Sequence, residues 1–274
     1  INIIKIWVLC LFLHQWDVRI MWTKLTKLLL ANLGILMVAT SIFAQGLQDE
    51  KESFDLAQRL FDDQNYANAA QEFIRFFENY PTSDRLPTAL LQLGLAHFKG
   101  GDFRRAIEAF QKFVDQYPKR LEVATTMRKK AKSLQMLNEY AKAGLAYQEV
   151  HDRYVSGEYA PQDLLSAGYN FHRGNDLDAS ETAFRTLISQ HPESPLYHEA
   201  TFNLGLVLLE GDHLEEALTQ FRTISNYPEP TERKPDALLE IGKIALFTGE
   251  LGDTERIFSD LRSRFPNSGS AQTS

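Results

Sequence analysis

Cysteine is almost missing from this 274-residue chain: Cys10 stands alone, which excludes a disulfide framework and a zinc site built on thiolates. Ten prolines and fifteen glycines are too few for a collagenous or low-complexity chain. None of the seven histidines sits in the His-x-x-x-His spacing that places two ligands on one helical face. No nucleophile elbow is present. The sequence Gly100-Gly101-Asp102 continues as Phe103-Arg104, without the lysine and hydroxyl of a phosphate loop. No metal, no cofactor and no catalytic activity are expected. Positive charge is also short: 29 basic residues face 36 acidic ones, and beyond residue 44 the balance is 25 against 35. A net charge of −10 over that stretch repels phosphate backbones, so nucleic acid is not an expected partner. What remains, 44 % hydrophobic and 24 % charged residues, suffices for a folded core.

The N-terminus reads as a targeting segment. Met21 opens a basic stretch with Lys24 and Lys27, an apolar run follows from Leu28 to Phe43, and Ala44 precedes the polar Gln45 to Glu50. Sixteen such residues make about 24 Å of helix against a hydrocarbon core of roughly 30 Å. Residues 21–44 are therefore expected to be a secretory signal peptide, or else a signal anchor, and the protein to be periplasmic or held at the inner membrane. Ile1 is not a normal start, and residues 1–20 are read as upstream read-through. No cysteine lies near the junction, which closes the lipid-attachment route.

A period of 37 residues organises the rest. Stepping from Tyr66 gives Phe103, Tyr140, Leu177, Leu214 and Leu251, each after a polar turn. Three residues past these anchors stand Ala69, Ala106, Ala143, Ser180, Ala217 and Thr254; seven past stand Phe73, Phe110, Tyr147, Phe184, Phe221 and Phe258. Nine before them stand Ala57, Gly94, Ala131, Gly168, Gly205 and Gly242. Small residues mark places where two helices approach closely, and the anchor with the +7 aromatic forms one face of a helix. Pro81, Pro118, Pro192 and Pro266 fall fifteen past an anchor and end helices, while Pro87, Pro161 and Pro235 fall sixteen before one, where proline suits a first helical turn. The chain is thus expected to be all-α: six helix–turn–helix repeats over residues 50–271, with no competing strand pattern. Such units bury a continuous core between neighbours and coil into a superhelix with a concave face.

The run Gly94-Leu95-Ala96-His97-Phe98, Gly101-Asp102-Phe103, Ala106, Phe110 and Pro118 resembles the tetratricopeptide family. The resemblance spans all six units and is weakest in the third, where Lys130 takes a usually apolar site and Val155 replaces proline. The 37-residue spacing and the endings Tyr80-Pro81, Tyr117-Pro118, Tyr227-Pro228 and Phe265-Pro266 resemble a bacterial cell-envelope branch. That branch includes the outer-membrane β-barrel assembly lipoprotein and the Tol–Pal system coordinator. The resemblance implies a right-handed superhelical solenoid and a non-enzymatic protein-binding scaffold in envelope assembly or maintenance. The alternatives are a membrane-anchored adaptor and the non-catalytic front of a larger, peptidoglycan-active enzyme.

First helices of such pairs line the concave face, which is expected to take an extended or helical peptide of a protein partner. Candidate groove residues are Phe54, Phe61, Leu91, Leu95 and Phe98 as an apolar shelf, with Arg128, Lys132, Tyr169 and Arg173 beside it. The alternative for the three phenylalanines is packing against adjacent helices, and for the basic cluster Arg128 to Lys132 a solvated face. Exchanging Arg128 and Lys132 for Glu is expected to weaken partner capture without melting the fold. After Pro266 the eight remaining residues read as too short to cover the last pair's apolar side, so further repeats or a partner are expected there.

Overall fold

The computed structural model describes residues 2–274, with side chains described from Lys27 onward except Leu28, Leu29 and Ala31. The side chains of Cys10, Met21 and Lys24, on which part of the leader reading rests, lie outside the described residues. Thirteen α-helices and no strands are present among the described residues. Two compact units divide the chain, Ile1–Ser83 and Asp84–Ser274.

In the first unit, α1 (Asn2–Asp62) runs without a break from the leader through the first repeat's opening helix. The polar stretch Gln45 to Glu50, expected to separate the two, is helical, because it contains no proline to stop a helix. Leu33, Leu36, Val38, Ile42 and Phe43 are all exposed on it. Among the described residues no helix is long and apolar enough to cross a membrane. The end of α1 pairs with α2 (Tyr66–Asn79).

In the second unit the pairs are α3 (Leu86–Lys99) with α4 (Phe103–Gln116), α5 (Val123–Met136) with α6 (Tyr140–Arg153), and α7 (Ala160–Arg173) with α8 (Leu177–Gln190). They continue as α9 (Tyr197–Glu210) with α10 (Leu214–Ser225) and α11 (Lys234–Thr248) with α12 (Leu251–Arg264). Within this unit consecutive helices from α3 to α12 pack on one another. All six anchors are first residues of a second helix. Pro228 stands one place earlier than the other helix-ending prolines, and α10 is accordingly two residues shorter than the other second helices.

The recurring small and aromatic positions meet each other. A Cβ built on Gly94 would lie 2.5 Å from the Phe110 ring, and one on Gly242 would lie 2.2 Å from Phe258. Gly168 and Gly205 face Phe184 and Phe221 in the same way. Phe110, Phe184 and Phe221 are fully buried, so each of these rings uses the space that a side chain nine before the anchor would occupy. At +3, Ser180 is buried and its Oγ donates to the Gly168 carbonyl at 2.9 Å.

The chain's last residues correct one expectation. They form α13 (Gly269–Thr273), seated on α11 and α12. Ser268 caps it by accepting from Ala271 N at 3.1 Å, and Ala271 is buried with Leu238 and Leu261. Eight residues are enough because, capped and folded as a helix, they seat Ala271 beside Leu261, which is fully buried.

Candidate functional site

The predicted groove residues lie on first helices, as their spacing requires, but their side chains divide into packed and presented groups. In the first unit, Phe54 meets Phe73 and Phe76 edge to face at 5.9 and 5.5 Å, and Phe61 meets Tyr66 at 5.5 Å. Both rings are half-buried and serve the α1–α2 pair. In the second unit, Phe98 meets Phe103 at 5.6 Å and carries the Lys129 ammonium 5.3 Å above its ring. Leu91 and Leu95 are half-buried. Leu165, which shares the −12 register, is buried in the core of the later repeats.

Arg128 is engaged. Its Nε and Nη2 donate to the two carboxylate oxygens of Asp163, both at 2.7 Å, and its guanidinium lies 5.0 Å from the Tyr159 ring centre. Asp163 is 1 % exposed and Arg128 21 %. This bidentate pair ties α5 to α7 across one repeat. The expectation that Arg128→Glu leaves the fold intact is therefore corrected: a second carboxylate would be pressed onto one that water cannot reach. Lys132, by contrast, is exposed, and among the described residues its one hydrogen-bond partner is Gln135 Oε1, at 3.0 Å. Arg173 is also exposed; it donates to the Tyr140 hydroxyl at 2.6 Å and stacks 4.3 Å over that ring.

Tyr169 belongs to a network. Its hydroxyl donates to Glu199 and accepts from Asn203 Nδ2 at 3.0 Å. Glu199 in turn receives the Arg233 guanidinium through Nε and Nη2, and Arg233 also reaches Asp236 at 2.9 Å. Burial, then the Glu199 carboxylate, push the Tyr169 phenol up to about 12. Burial works to raise Glu199, but hydrogen bonds from Arg233 and Tyr169 outweigh it and hold the carboxyl below its ordinary range. His172 meets Glu210 at 2.8 Å on the same face.

Asp163, Glu199, Asn203, Arg233 and Asp236 were missed from sequence. The available signal was spacing: Arg128–Asp163 and Glu199–Arg233 lie 35 and 34 residues apart, slightly under one period. A partner two or three residues short of the repeat length sits just ahead of its counterpart on the next first helix. Lys130, the oddity of the third repeat, reaches Gln111 Oε1 at 2.8 Å, so its ammonium finds a partner from a partly buried site. Among the described residues no group of three or more His, Cys, Asp or Glu is placed to hold a metal ion.

Two family models, both described as tetratricopeptide repeat, match residues 88–120 and 165–229. No curated protein matches the chain. Among solved structures, the apo form of RapI aligns at TM-score 0.54 and 12 % identity, over 80 % of this chain and 65 % of that one. A MamA protein aligns at TM-score 0.52 and 19 % identity, over 66 % and 92 %. PilW, described as a widely conserved type IV pilus biogenesis factor, aligns at TM-score 0.49 and 18 % identity, over 82 % and 98 %. The fold is the all-helical tetratricopeptide solenoid.

Proposed function

We propose that this tetratricopeptide-repeat protein is a non-enzymatic scaffold, exported to the periplasm, that holds protein partners during cell-envelope or outer-membrane protein assembly. Partners are held on the first-helix face of the repeats. The observation that carries this reading is the division of charge on that face in the second unit. Arg128, Arg233 and Glu199 are consumed in ion pairs, whereas Lys132 and Arg173 stand exposed with only neutral partners among the described residues. Leu91, Leu95 and Phe98 lie half-buried on α3, an earlier first helix of the same unit. An extended peptide carrying apolar and acidic side chains matches that surface, its carboxylates pairing with the exposed cations.

Export is supported by the apolar run ending at Ala44, and the exposed Leu33, Leu36, Ile42 and Phe43 leave that run without a protein core of its own. The test is capture of partners from the envelope fraction by the tagged protein and by Lys132→Glu/Arg173→Glu. Partners retained undiminished by a variant that melts like the parent would refute the groove. A chain recovered only from the cytoplasm, leader intact, would refute export.

A further inference from the structure

The inter-repeat loops of the second unit differ sharply in character. Nineteen residues before the anchors, Asp84, Glu158, Pro195 and Glu232 occupy four loops and Leu121 the fifth. Leu121 is 97 % exposed. Lys119 and Arg120 precede it, both exposed and neither in an ion pair among the described residues. Two hydrogen bonds fix this tip, Arg120 N to Tyr117 O at 3.1 Å and Val123 N to Arg120 O at 3.2 Å, so presenting it costs little further ordering. Burying a leucine that is wholly in water favours association.

Two loops further along, the segments around Pro192 and Tyr227 enclose a cleft of about 660 Å³. Pro192, Pro195, Tyr197 and Tyr227 supply its apolar patches, in a lining that is otherwise mostly polar. Glu193, Glu229 and Glu232 stand exposed around it, in no ion pair among the described residues. Arg233 also lines it, but its charge is taken up by Glu199 and Asp236. Within the lining, His198 packs on Tyr227 at 4.3 Å, and His198 Nδ1 and Thr231 Oγ1 are buried without a hydrogen-bond partner. Lys234 is buried beside His198, leaving the three glutamates in excess.

We propose that the Lys119-Arg120-Leu121 tip of one copy docks into this cleft of a second copy. Leu121 enters between the proline and tyrosine patches, and the two cations settle on the glutamates. Helices α5 to α8 stand between tip and cleft in the stack, at about 8–10 Å per helix layer, so a chain does not reach its own cleft. The contact is heterologous: a pair of copies keeps one tip and one cleft unused, and association proceeds to rings or open chains. One tip buries far less than the roughly 1,600 Å² of a standard interface. The association is therefore weak, concentration-dependent and weakened by salt.

Sedimentation velocity of the full chain, in a mild detergent that covers the apolar run near the N-terminus, tests this directly. The parent should sediment faster as its concentration rises at low salt. Lys119→Glu/Arg120→Glu and, separately, Glu193→Lys/Glu229→Lys/Glu232→Lys should each weaken self-association by about tenfold or more. An equimolar mixture of the two variants should recover pairing, because one supplies an intact tip and the other an intact cleft. A chain carrying both charge reversals should associate again. A parent that stays monomeric overturns the proposal, as does association that persists in both variants. Loss in each variant without recovery on mixing shows that tip and cleft are not each other's partners and overturns it equally. None of these outcomes depends on the first-helix face, which the Lys132 and Arg173 variants test separately.

Discussion

Two residues before every anchor the backbone turns left-handed: Gln64, Gly101, Asn138, Asn175, Asp212 and Gly249 all have φ between 59° and 83°. Glycine, asparagine and aspartate tolerate that region; glutamine carries the ordinary Cβ penalty. Gln64→Gly should therefore stabilise the first unit by about 0.5–1 kcal/mol, read as a rise in urea midpoint at unchanged slope. Arg128 and Lys132 make the opposite lesson, since one helical turn separates them and their fates differ. Arg128→Glu should cost about 3–5 kcal/mol, because it leaves Asp163 buried, unpaired and facing a like charge. Lys132→Glu should stay within about 0.5 kcal/mol of the parent. Paired denaturation curves check both, and equal costs would contradict the bidentate geometry.

At the scale of the element, each helix pair is closed by a ring lying over a residue with no side chain to spare. Gly94→Val would drive two methyl groups into Phe110, and the ring has no empty space to enter; a loss of about 3 kcal/mol or more is expected by thermal melting. Phe110→Ala leaves a cavity at the same contact and should cost about 3–5 kcal/mol. Alanine already occupies the equivalent place at Ala57 and Ala131, both fully buried, so Gly94→Ala is expected to cost far less than valine. The helix boundaries were legible in the sequence, because prolines and anchors recur with the period. The ring-over-glycine contact was not, since spacing along one chain does not say which face of one helix meets which face of the next.

For the whole molecule, nearest-neighbour packing makes stability a sum over pairs, and half-buried histidines tie that sum to pH. Burial lowers His97, His191 and His198, the last two with help from neighbouring positive or imidazole groups. Each is kept neutral in the fold, so the unfolded chain binds more protons once pH drops below the ordinary value of 6.5. Stability is fully present above that value and falls as pH decreases toward the lowered folded values. Glu199 works in the same direction lower down: its contribution holds above 4.5 and is lost as pH falls further through its depressed folded value. The urea midpoint should be lower at about pH 5.5 than at about pH 7.5, and His191→Gln should shrink that difference. An equal difference in the variant would show that other groups carry the effect.

Period, helix pairing and the identity of the interior rings were set by sequence alone, because a helix buries a stripe whose spacing is dictated by its pitch and the same stripe recurs six times. Which polar groups are available to a partner was decided only in three dimensions. Arg128 and Lys132 are both cations one turn apart on a first helix, and Leu121 is the same letter as any core leucine. A charge is free or consumed, and an apolar side chain covered or exposed, according to what the neighbouring repeat brings within a few ångströms of it.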